Sequence, residues 1–120
     1  MPKINQNITT IDIDKCPIVF SENALKVINK ALLNKSRKNK LLRVSVEGGG
    51  CSGFKYGLNF ISEADEHDIL CKYTDIVHLI IDINSYSCMN NTVIDFVKTN
   101  NGSGFTFNNP NALNACTGCD

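Results

Sequence analysis

The chain has 120 residues, of which 42% are hydrophobic and 20% charged, so it is long enough to bury one modest core and too apolar to be intrinsically disordered. Its formal net charge is zero, which argues against nucleic acid or an anionic membrane as its main partner. No apolar run reaches the roughly 18 residues of a membrane-spanning helix, and the first residues lack the apolar core of an export signal. These features predict a single cytoplasmic domain over residues 1–120.

Residues 1–17 are polar and show no periodicity, so they are predicted to form a loose N-terminal arm. A helix is predicted to begin after Ser21, a suitable N-cap residue, and to end in the basic segment 34–40. The apolar residues of this segment recur at steps of three and four, which is typical of one buried helical face. These residues are Leu25, Ile28, Ala31 and Leu32.

From residue 41 onward the apolar residues alternate, which predicts β-strands. The expected strands cover residues 41–47, 54–60, two parts of 68–82 around a turn at 74–75, 92–98 and 105–109, with a short helical turn or loop at 83–91. Strands and helices do not alternate along the chain, which disfavours a parallel sheet. The pattern predicts an α+β fold that is mostly β, with one N-terminal helix, about six short strands in a compact sandwich-like arrangement, and a mobile tail at 108–120.

Two cysteine motifs interrupt this simple pattern. Residues 47–57 read EGGGCSGFKYG and place Cys51 in a glycine-rich hairpin, where the backbone can approach a bulky group and direct its N–H groups towards it. Near the other end, Cys116 and Cys119 stand in the sequence CTGC, a spacing at which two thiolates can hold one metal ion. A thioredoxin-like active site would need a helix after this motif, and only one residue follows Cys119.

The remaining cysteines lie in apolar or loop contexts and are predicted to pack as small hydrophobic side chains. They are Cys16, Cys71 and Cys88. A disulfide framework is disfavoured because no export signal is visible. His67 and His78 are candidates for a fourth metal ligand, but both lie away from the glycine loop in sequence and are expected to be ordinary surface or half-buried side chains.

Three soft thiolates suit an iron–sulfur cluster, zinc or copper(I), and a set of three indicates an exchangeable position or completion by a second subunit. Two other hypotheses remain open at this point. One is a thiol-dependent redox enzyme that uses Cys51 or the CTGC dithiol, and the other is a zinc-stabilised interaction module. A phosphate-binding loop is disfavoured, because the lysine of that motif is displaced and a strand pattern follows the glycines.

Three sequence blocks resemble the HesB/IscA-like A-type iron–sulfur cluster carriers. They read GGGCSGFKYGLNF, IDINSYSCMNNTVIDFV and GFTFNNPNALNAC, and the resemblance runs from about Ser21 to Cys116. It implies a HesB-type α+β fold, a homodimer or homotetramer, and the binding of iron or of a [2Fe–2S] or [4Fe–4S] cluster. The cargo would arrive from scaffold or donor proteins and pass to apo-proteins, without enzymatic activity in the usual sense.

The family's ligand positions correspond to Cys51, Cys116 and Cys119. The family's tail contains Cys-Gly-Cys, whereas this chain has Thr117 and Gly118 between the two cysteines and ends one residue after the second. Cys116 keeps the family's distance from the NPNA block, and Cys119 is displaced by one residue. The resemblance therefore predicts a retained function in which Cys116 is the firmer ligand of the two.

Overall fold

The computed structural model describes residues 3–34, 40–48, 54–87 and 89–109. The elements in chain order are β1 (Lys3–Ile4), β2 (Thr9–Ile11), a 3-10 turn (Ile13–Lys15), β3 (Ile18–Phe20), α1 (Glu22–Asn34), β4 (Leu41–Gly48), β5 (Phe54–Ile61), β6 (Glu63–Ala64), β7 (Asp68–Lys72), β8 (His78–Asp82), α2 (Ile83–Tyr86), β9 (Thr92–Thr99) and β10 (Gly102–Asn108). The described part of the chain is thus mostly β, as the alternating pattern predicts. Within it, no helix is both long and apolar enough to cross a bilayer.

Helix α1 forms where the periodicity predicts it. The Ser21 hydroxyl oxygen accepts a hydrogen bond from the Ala24 N–H at 3.1 Å, which satisfies a backbone donor of the first turn and confirms Ser21 as the N-cap. The same hydroxyl donates to the Asp95 carboxylate at 2.5 Å and so ties the start of the helix to β9. The face that carries Ala24, Ile28 and Leu32 is buried.

The strands form two main sheets. A five-stranded sheet has the order β2-β7-β8-β4-β5, and a three-stranded sheet has the order β10-β9-β3. The β4–β5, β7–β8 and β9–β10 pairs are antiparallel, as expected for neighbours joined by short turns. Strands β2, β3 and β4 run parallel to β7, β9 and β8, so the sheets are mixed.

The parallel pairs and the strand count correct the sequence prediction. Parallel neighbours were disfavoured because the sequence shows no strand–helix–strand alternation, and about six strands were expected. Each parallel partner here is reached after other strands have intervened, so no local pattern signals it. The additional strands, β1, β2, β3 and β6, contain only two or three residues each, which is too short for a period of two to show.

The N-terminal arm is also more ordered than predicted. Residues 3–17 were expected to be loose, but β1 pairs with β6 and β2 pairs with β7. Most of these arm residues are exposed, so they show no apolar pattern. Their order comes from backbone hydrogen bonds, which hydropathy does not reveal. Ile8 of the arm packs on a small cluster formed by Leu41, Ala64, Leu70 and Ile80.

The main core lies between the two sheets and α1. Its buried side chains are Ile18, Phe20, Ala24, Ile28, Leu32, Leu42, Val44, Cys71, Val77, Leu79, Ile81, Met89 and Ile94. A direct link joins the sheets near β3, where the Tyr73 hydroxyl accepts the Phe20 N–H at 3.0 Å and the two rings meet edge to face at 5.0 Å. This shared core supports the predicted sandwich-like arrangement. The predicted mobile tail at 108–120 begins too early, because Asn108 ends β10 and Asn109 is buried, and residues 110–120 lie outside the described residues.

Candidate functional site

The glycine-rich segment joins the two strands of a hairpin, as predicted. Strands β4 and β5 pair in register up to Gly48 opposite Phe54, and residues 49–53 connect them. This connection contains Cys51 and lies outside the described residues. The structure therefore defines the base of the cysteine loop, at the Val46–Tyr56 and Gly48–Phe54 pairs.

Helix α2 braces one edge of this hairpin base. Strand β8 pairs with β4 only as far as the Val44–Ile81 pair. The backbone N–H of Val46 therefore needs a hydrogen-bond acceptor other than β8. The fully buried Ser85 hydroxyl oxygen accepts the Val46 N–H at 2.9 Å. Ser85 in turn donates its hydroxyl proton to the Asp82 carboxylate at 2.6 Å, and its N–H donates to the same carboxylate at 3.2 Å. Asp82 is thus the N-cap that starts α2.

A charged residue of β4 holds this cap in place. Arg43 lies 3.1 Å from a carboxylate oxygen of the buried Asp68 and 3.8 Å from one of Asp82. The carboxylate that orients Ser85 is therefore fixed from two sides, by the guanidinium group and by the turn of α2. The guanidinium group of Arg43 also compensates the charge of the buried Asp68 carboxylate.

An aromatic stack braces the opposite edge of the hairpin base. The rings of Tyr56 on β5 and Phe107 on β10 lie parallel, with 4.7 Å between centroids and 2° between planes. Each strand is the edge of its own sheet, so this stack joins the two sheets along that side. Tyr56 is also the register partner of Val46, which means that Ser85 and Phe107 hold the same cross-section of the hairpin from its two edges.

The stack also fixes where the cysteine tail starts. Phe107 is followed by Asn108 and the buried Asn109, after which the sequence continues to Cys116 and Cys119. Cys116 is the seventh residue after Asn109, a reach of at most about 24 Å. Cys51 is three residues from Phe54, a reach of about 10 Å. The Tyr56–Phe107 stack therefore lies two residues from the described end of each cysteine-bearing segment, at Phe54 and at Asn109.

The predicted ligands themselves lie outside the described residues. This applies to Cys51, Cys116 and Cys119, and also to Cys88. The assignment of Cys51, Cys116 and Cys119 as ligands stays a prediction. The structure describes the strands that adjoin the segments containing them. Within the described ranges, no group of three or more histidine, cysteine or acidic side chains is arranged to hold a metal ion.

Cys16 and Cys71 pack as predicted. Cys71 on β7 is fully buried in the main core, and the half-buried Cys16 packs against that core. Burial raises the pKa of Cys71 to about 12, and the neighbouring Cys16 adds to the rise. Burial also raises the pKa of Cys16, although hydrogen bonds from the Ile18 N–H and from Cys71 oppose this. Both groups are neutral thiols at pH 7, unlike metal ligands.

Neither histidine considered as a fourth ligand adjoins the hairpin base. The side chain of His67 is 81% exposed in the turn before β7 and faces Glu66 at 3.9 Å. His78 pairs with Leu41, so seven residues of β4, or about 23 Å, separate it from the level of Gly48. Their expected roles as ordinary surface or half-buried side chains agree with these positions.

Sequence reasoning did not identify Ser85, Asp82 or the Tyr56–Phe107 stack as parts of this region. A signal for the first two exists, because Asp followed three residues later by Ser is a common start of a helical turn. The stack joins residues of non-consecutive strands, and no local pattern reports such a pairing.

Comparison with known proteins identifies the class. The solved structure of Escherichia coli SufA, described as involved in the biosynthesis of iron–sulfur clusters, superposes with a TM-score of 0.66 at 28% identity and covers 82% of this chain and 85% of that one. The structure of IscA with a [2Fe–2S] cluster gives a TM-score of 0.63 over 78% of this chain and 85% of that one, and its 19% identity supports the fold alone. The chain therefore has the SufA/IscA fold.

Sequence comparison then gives the family. Residues 16–119 match the family described as iron–sulphur cluster biosynthesis. The uncharacterized protein SufA of Bacillus subtilis is 40% identical over 103 residues, which cover 86% of this chain and 84% of the relative. The iron–sulfur cluster insertion protein ErpA of Ruthia magnifica is 36% identical over 107 residues, covering 89% and 90%. The chain belongs to the iron–sulphur cluster biosynthesis family.

Proposed function

We propose that this protein is an iron–sulfur cluster carrier, which binds its cargo through Cys51, Cys116 and Cys119 and transfers it to apo-proteins. The family match supports this, because it spans all three cysteines, and several relatives are named as iron–sulfur cluster insertion proteins. The single structural observation that carries the proposal is the Tyr56–Phe107 stack. It joins β5, which follows the segment with the first cysteine, to β10, which precedes the segment with the other two.

Three thiolates would supply an incomplete set of soft ligands to the cargo. A four-coordinate iron with only three protein ligands from one chain leaves a position for a second copy, so we infer a homodimer or homotetramer that shares the cargo. The cargo is a [2Fe–2S] or [4Fe–4S] cluster or iron, and the structure of a relative in the fold, IscA, was solved with a [2Fe–2S] cluster. A shared position also favours release, since separation of the copies removes ligands together.

The two other hypotheses, a thiol-dependent redox enzyme and a zinc-stabilised module, have less support. The named relatives are proteins of iron–sulfur cluster insertion and biosynthesis. We place the protein in the cytoplasm, with donor and recipient proteins of cluster assembly as its partners.

Anaerobic reconstitution of the Cys51→Ser variant tests this function. We expect the wild-type protein to become brown, with sulfide-to-iron charge-transfer absorption, and the variant to hold no stable cluster while keeping wild-type circular dichroism. Cys16→Ser is the matched control, because that cysteine packs against the main core and is not a proposed ligand, so its replacement should leave the absorption unchanged. A full cluster content in Cys51→Ser would refute the assignment, and zinc without absorption in the wild type would favour the interaction module.

The inserted residue in the tail leads to a ranking of the two tail ligands. Cys119 stands one residue further along the chain than the family's third ligand, so its tether would be longer, and ordering the tether would cost roughly 1–2 kcal/mol per residue fixed. Cys116→Ser should therefore release the cluster faster than Cys119→Ser under the same anaerobic conditions. Equal rates, or faster release from Cys119→Ser, would show that the insertion is accommodated without loss.

A further inference from the structure

Strand β9 extends beyond the strand that covers one of its edges. Strand β3 pairs with β9 only up to Phe20 opposite Ile94, and the chain then enters α1. On its other edge, β9 continues beside β10 as far as the Thr99–Gly102 pair. Residues 95–99 of β9 therefore have a strand on one side only, among the residues that the structure describes.

The hydrogen bonds of β9 show which backbone groups face this open edge. The Ile94 carbonyl oxygen accepts the Ser21 N–H at 2.9 Å, on the side of β3. Because the direction of the backbone groups alternates along a strand, the carbonyl oxygen of Phe96 and both backbone groups of Lys98 point to that same side. In the described part of the chain, these three groups have no hydrogen-bond partner.

The first N–H of the edge is already occupied. One carboxylate oxygen of Asp95 accepts the Phe96 N–H at 2.8 Å and the Ser21 hydroxyl at 2.5 Å. The Asp95 carboxylate is thus engaged at the point where β3 ends. The open groups begin with the Phe96 carbonyl oxygen, and together with the Lys98 N–H this oxygen can hold one residue of an added parallel strand.

A groove borders the open edge. It lies between the first turns of α1 and the end of β9 and has a volume of about 540 Å³, within the range of binding clefts. Its lining residues are Asn23, Lys26, Val27, Phe96, Val97 and Lys98. Val27 and Phe96 are half-buried and supply an apolar wall, whereas Lys26 and Lys98 are exposed and cationic. Among the described residues, no carboxylate lines the groove.

We propose that this edge and groove bind an extended acidic segment of a partner protein, which adds to β9 as a short strand in line with β3. Side chains two positions apart share one face of a strand. An apolar side chain beside Phe96 and an acidic one beside Lys98 therefore both face α1, where Val27 and Lys26 receive them.

The charge of the groove distinguishes this occupant from a second copy of the chain. Two copies that met through this edge would bring the same two lysines together, and like charges on an edge strand oppose such pairing. An acidic segment instead gains opposite charges at both ends of the apolar wall. The site contains none of the proposed cargo ligands, so it does not depend on the proposed function.

Fluorescence anisotropy of the full-length apo-protein tests the site. The probe is a fluorescein-labelled peptide of about eight residues that alternates valine and aspartate, and its counterpart has lysine in place of aspartate. We expect saturable binding of the acidic peptide and roughly tenfold or weaker binding of the basic one. Equal binding of both peptides, or no saturable binding of the acidic peptide at protein concentrations up to about 1 mM, would overturn the proposal.

Paired charge reversals separate the groove from general electrostatic attraction. Lys26→Glu combined with Lys98→Glu should weaken binding of the acidic peptide by about tenfold or more. Lys15→Glu combined with Lys72→Glu changes the net charge equally at exposed positions outside the groove, and it should keep the affinity within about twofold. A similar loss of affinity in the two double variants would contradict the site.

Hydrogen exchange distinguishes strand addition from a contact of side chains alone. The Lys98 N–H should exchange roughly tenfold or more slowly when the acidic peptide is bound, whereas the Val97 N–H, on the side of β10, should change little. Lys98→Pro deletes the open donor at an edge position where proline is tolerated, so it should bind the peptide more weakly than Lys98→Ala. Unchanged exchange at Lys98, or equal affinities of these two variants, would exclude strand addition.

Discussion

Two regions at the five-stranded sheet differ in the predicted roles of their cysteines. We call the cross-section formed by Val46, Tyr56, Ser85 and Phe107 the hairpin end, and Cys16 with Cys71 the thiol pair. Cys71 pairs with Leu79, which stands two strands from β5 and about 13 Å along the sheet from the level of Val46. The thiol pair packs in and against the core, whereas the cysteines of the segments that adjoin the hairpin end lie outside the described residues.

This difference indicates that the residues of the core that contribute to stability are distinct from the proposed cargo ligands. At the thiol pair, burial keeps the sulfurs protonated, so they contribute packing. At the hairpin end, hydrogen bonds and one aromatic stack hold the backbone, and the cysteines belong to the connections beyond it. Changes at the two regions should therefore have different consequences, which the following measurements test.

The largest difference is expected from two phenylalanines of β10. Phe107 stacks on Tyr56 of the hairpin, whereas Phe105 meets Phe96 of the same sheet edge to face at 5.0 Å. Phe107→Ala and Phe105→Ala should each lower the free energy of unfolding by about 2 kcal/mol, because both side chains are half-buried. Only Phe107→Ala should also speed cluster release, because it removes the ring contact between β10 and the hairpin. The release rate should rise tenfold or more, and a tenfold change corresponds to about 1.4 kcal/mol.

Release rates and denaturant unfolding of the two variants, measured side by side, check this contrast. Phe105→Ala is the matched control, two positions away on the same strand and face. An equal acceleration of release in both variants would mean that the effect follows general stability rather than the stack.

The thiol pair should affect the pH dependence of the free energy of unfolding and should not affect cluster retention. The folded protein keeps the proton of Cys71 up to a pKa of about 12, while the unfolded chain loses it near the ordinary value of 9.0. The contribution of the neutral thiol is thus complete below pH 9 and is lost as the pH rises towards 12, by at most about 1.4 kcal/mol per pH unit. The stability difference between the reduced wild type and Cys71→Ala should narrow over this range.

Urea unfolding at a series of pH values, with reductant present, measures that difference. Cluster retention of Cys71→Ala at pH 7.5 provides the companion measurement and should stay close to that of the wild type. A stability difference that is constant from pH 8 to pH 11 would contradict the burial of a protonated thiol.

A smaller effect is expected at the other edge of the hairpin end. Ser85→Ala removes the acceptor of the Val46 N–H and should cost about 1–2 kcal/mol, because that donor is left without its hydrogen bond. Cluster release should accelerate several-fold. Ser87→Ala, at the end of the same helical turn, is the control, since its exposed hydroxyl donates locally to the Asn84 carbonyl oxygen at 2.9 Å. Similar release from the two variants would exclude Ser85 as a brace.

The smallest change should follow removal of the cargo. The main core of the described residues packs without any of the three proposed ligands, so the apo-protein should keep its β structure. Circular dichroism before and after treatment with a chelator is expected to overlap. Loss of β structure would show that the metal supplies folding free energy, as it does in small zinc domains.

Local patterns explain why part of this organisation could be predicted from the sequence. The N-cap Ser21 and its helical face, the β4–β5 hairpin and the turn between β7 and β8 all depend on residues that are neighbours in the chain. The parallel pairing of β4 with β8 and the contact of Ser85 with Val46 depend on how distant segments pack, which alternation does not encode. The arm strands were missed because exposed backbone pairing leaves no apolar signature.

The bracing of the Val46–Tyr56 pair from both edges has a mechanical consequence. From this clamped cross-section to the Gly48–Phe54 pair, the ribbon overhangs by two residues, or about 7 Å. Such a short cantilever amplifies little: a tilt of about 10° at the clamp displaces the last pair by only about 1 Å. The hairpin therefore presents the start of its connection with small positional error, which the proposed sharing of cargo between two copies would require.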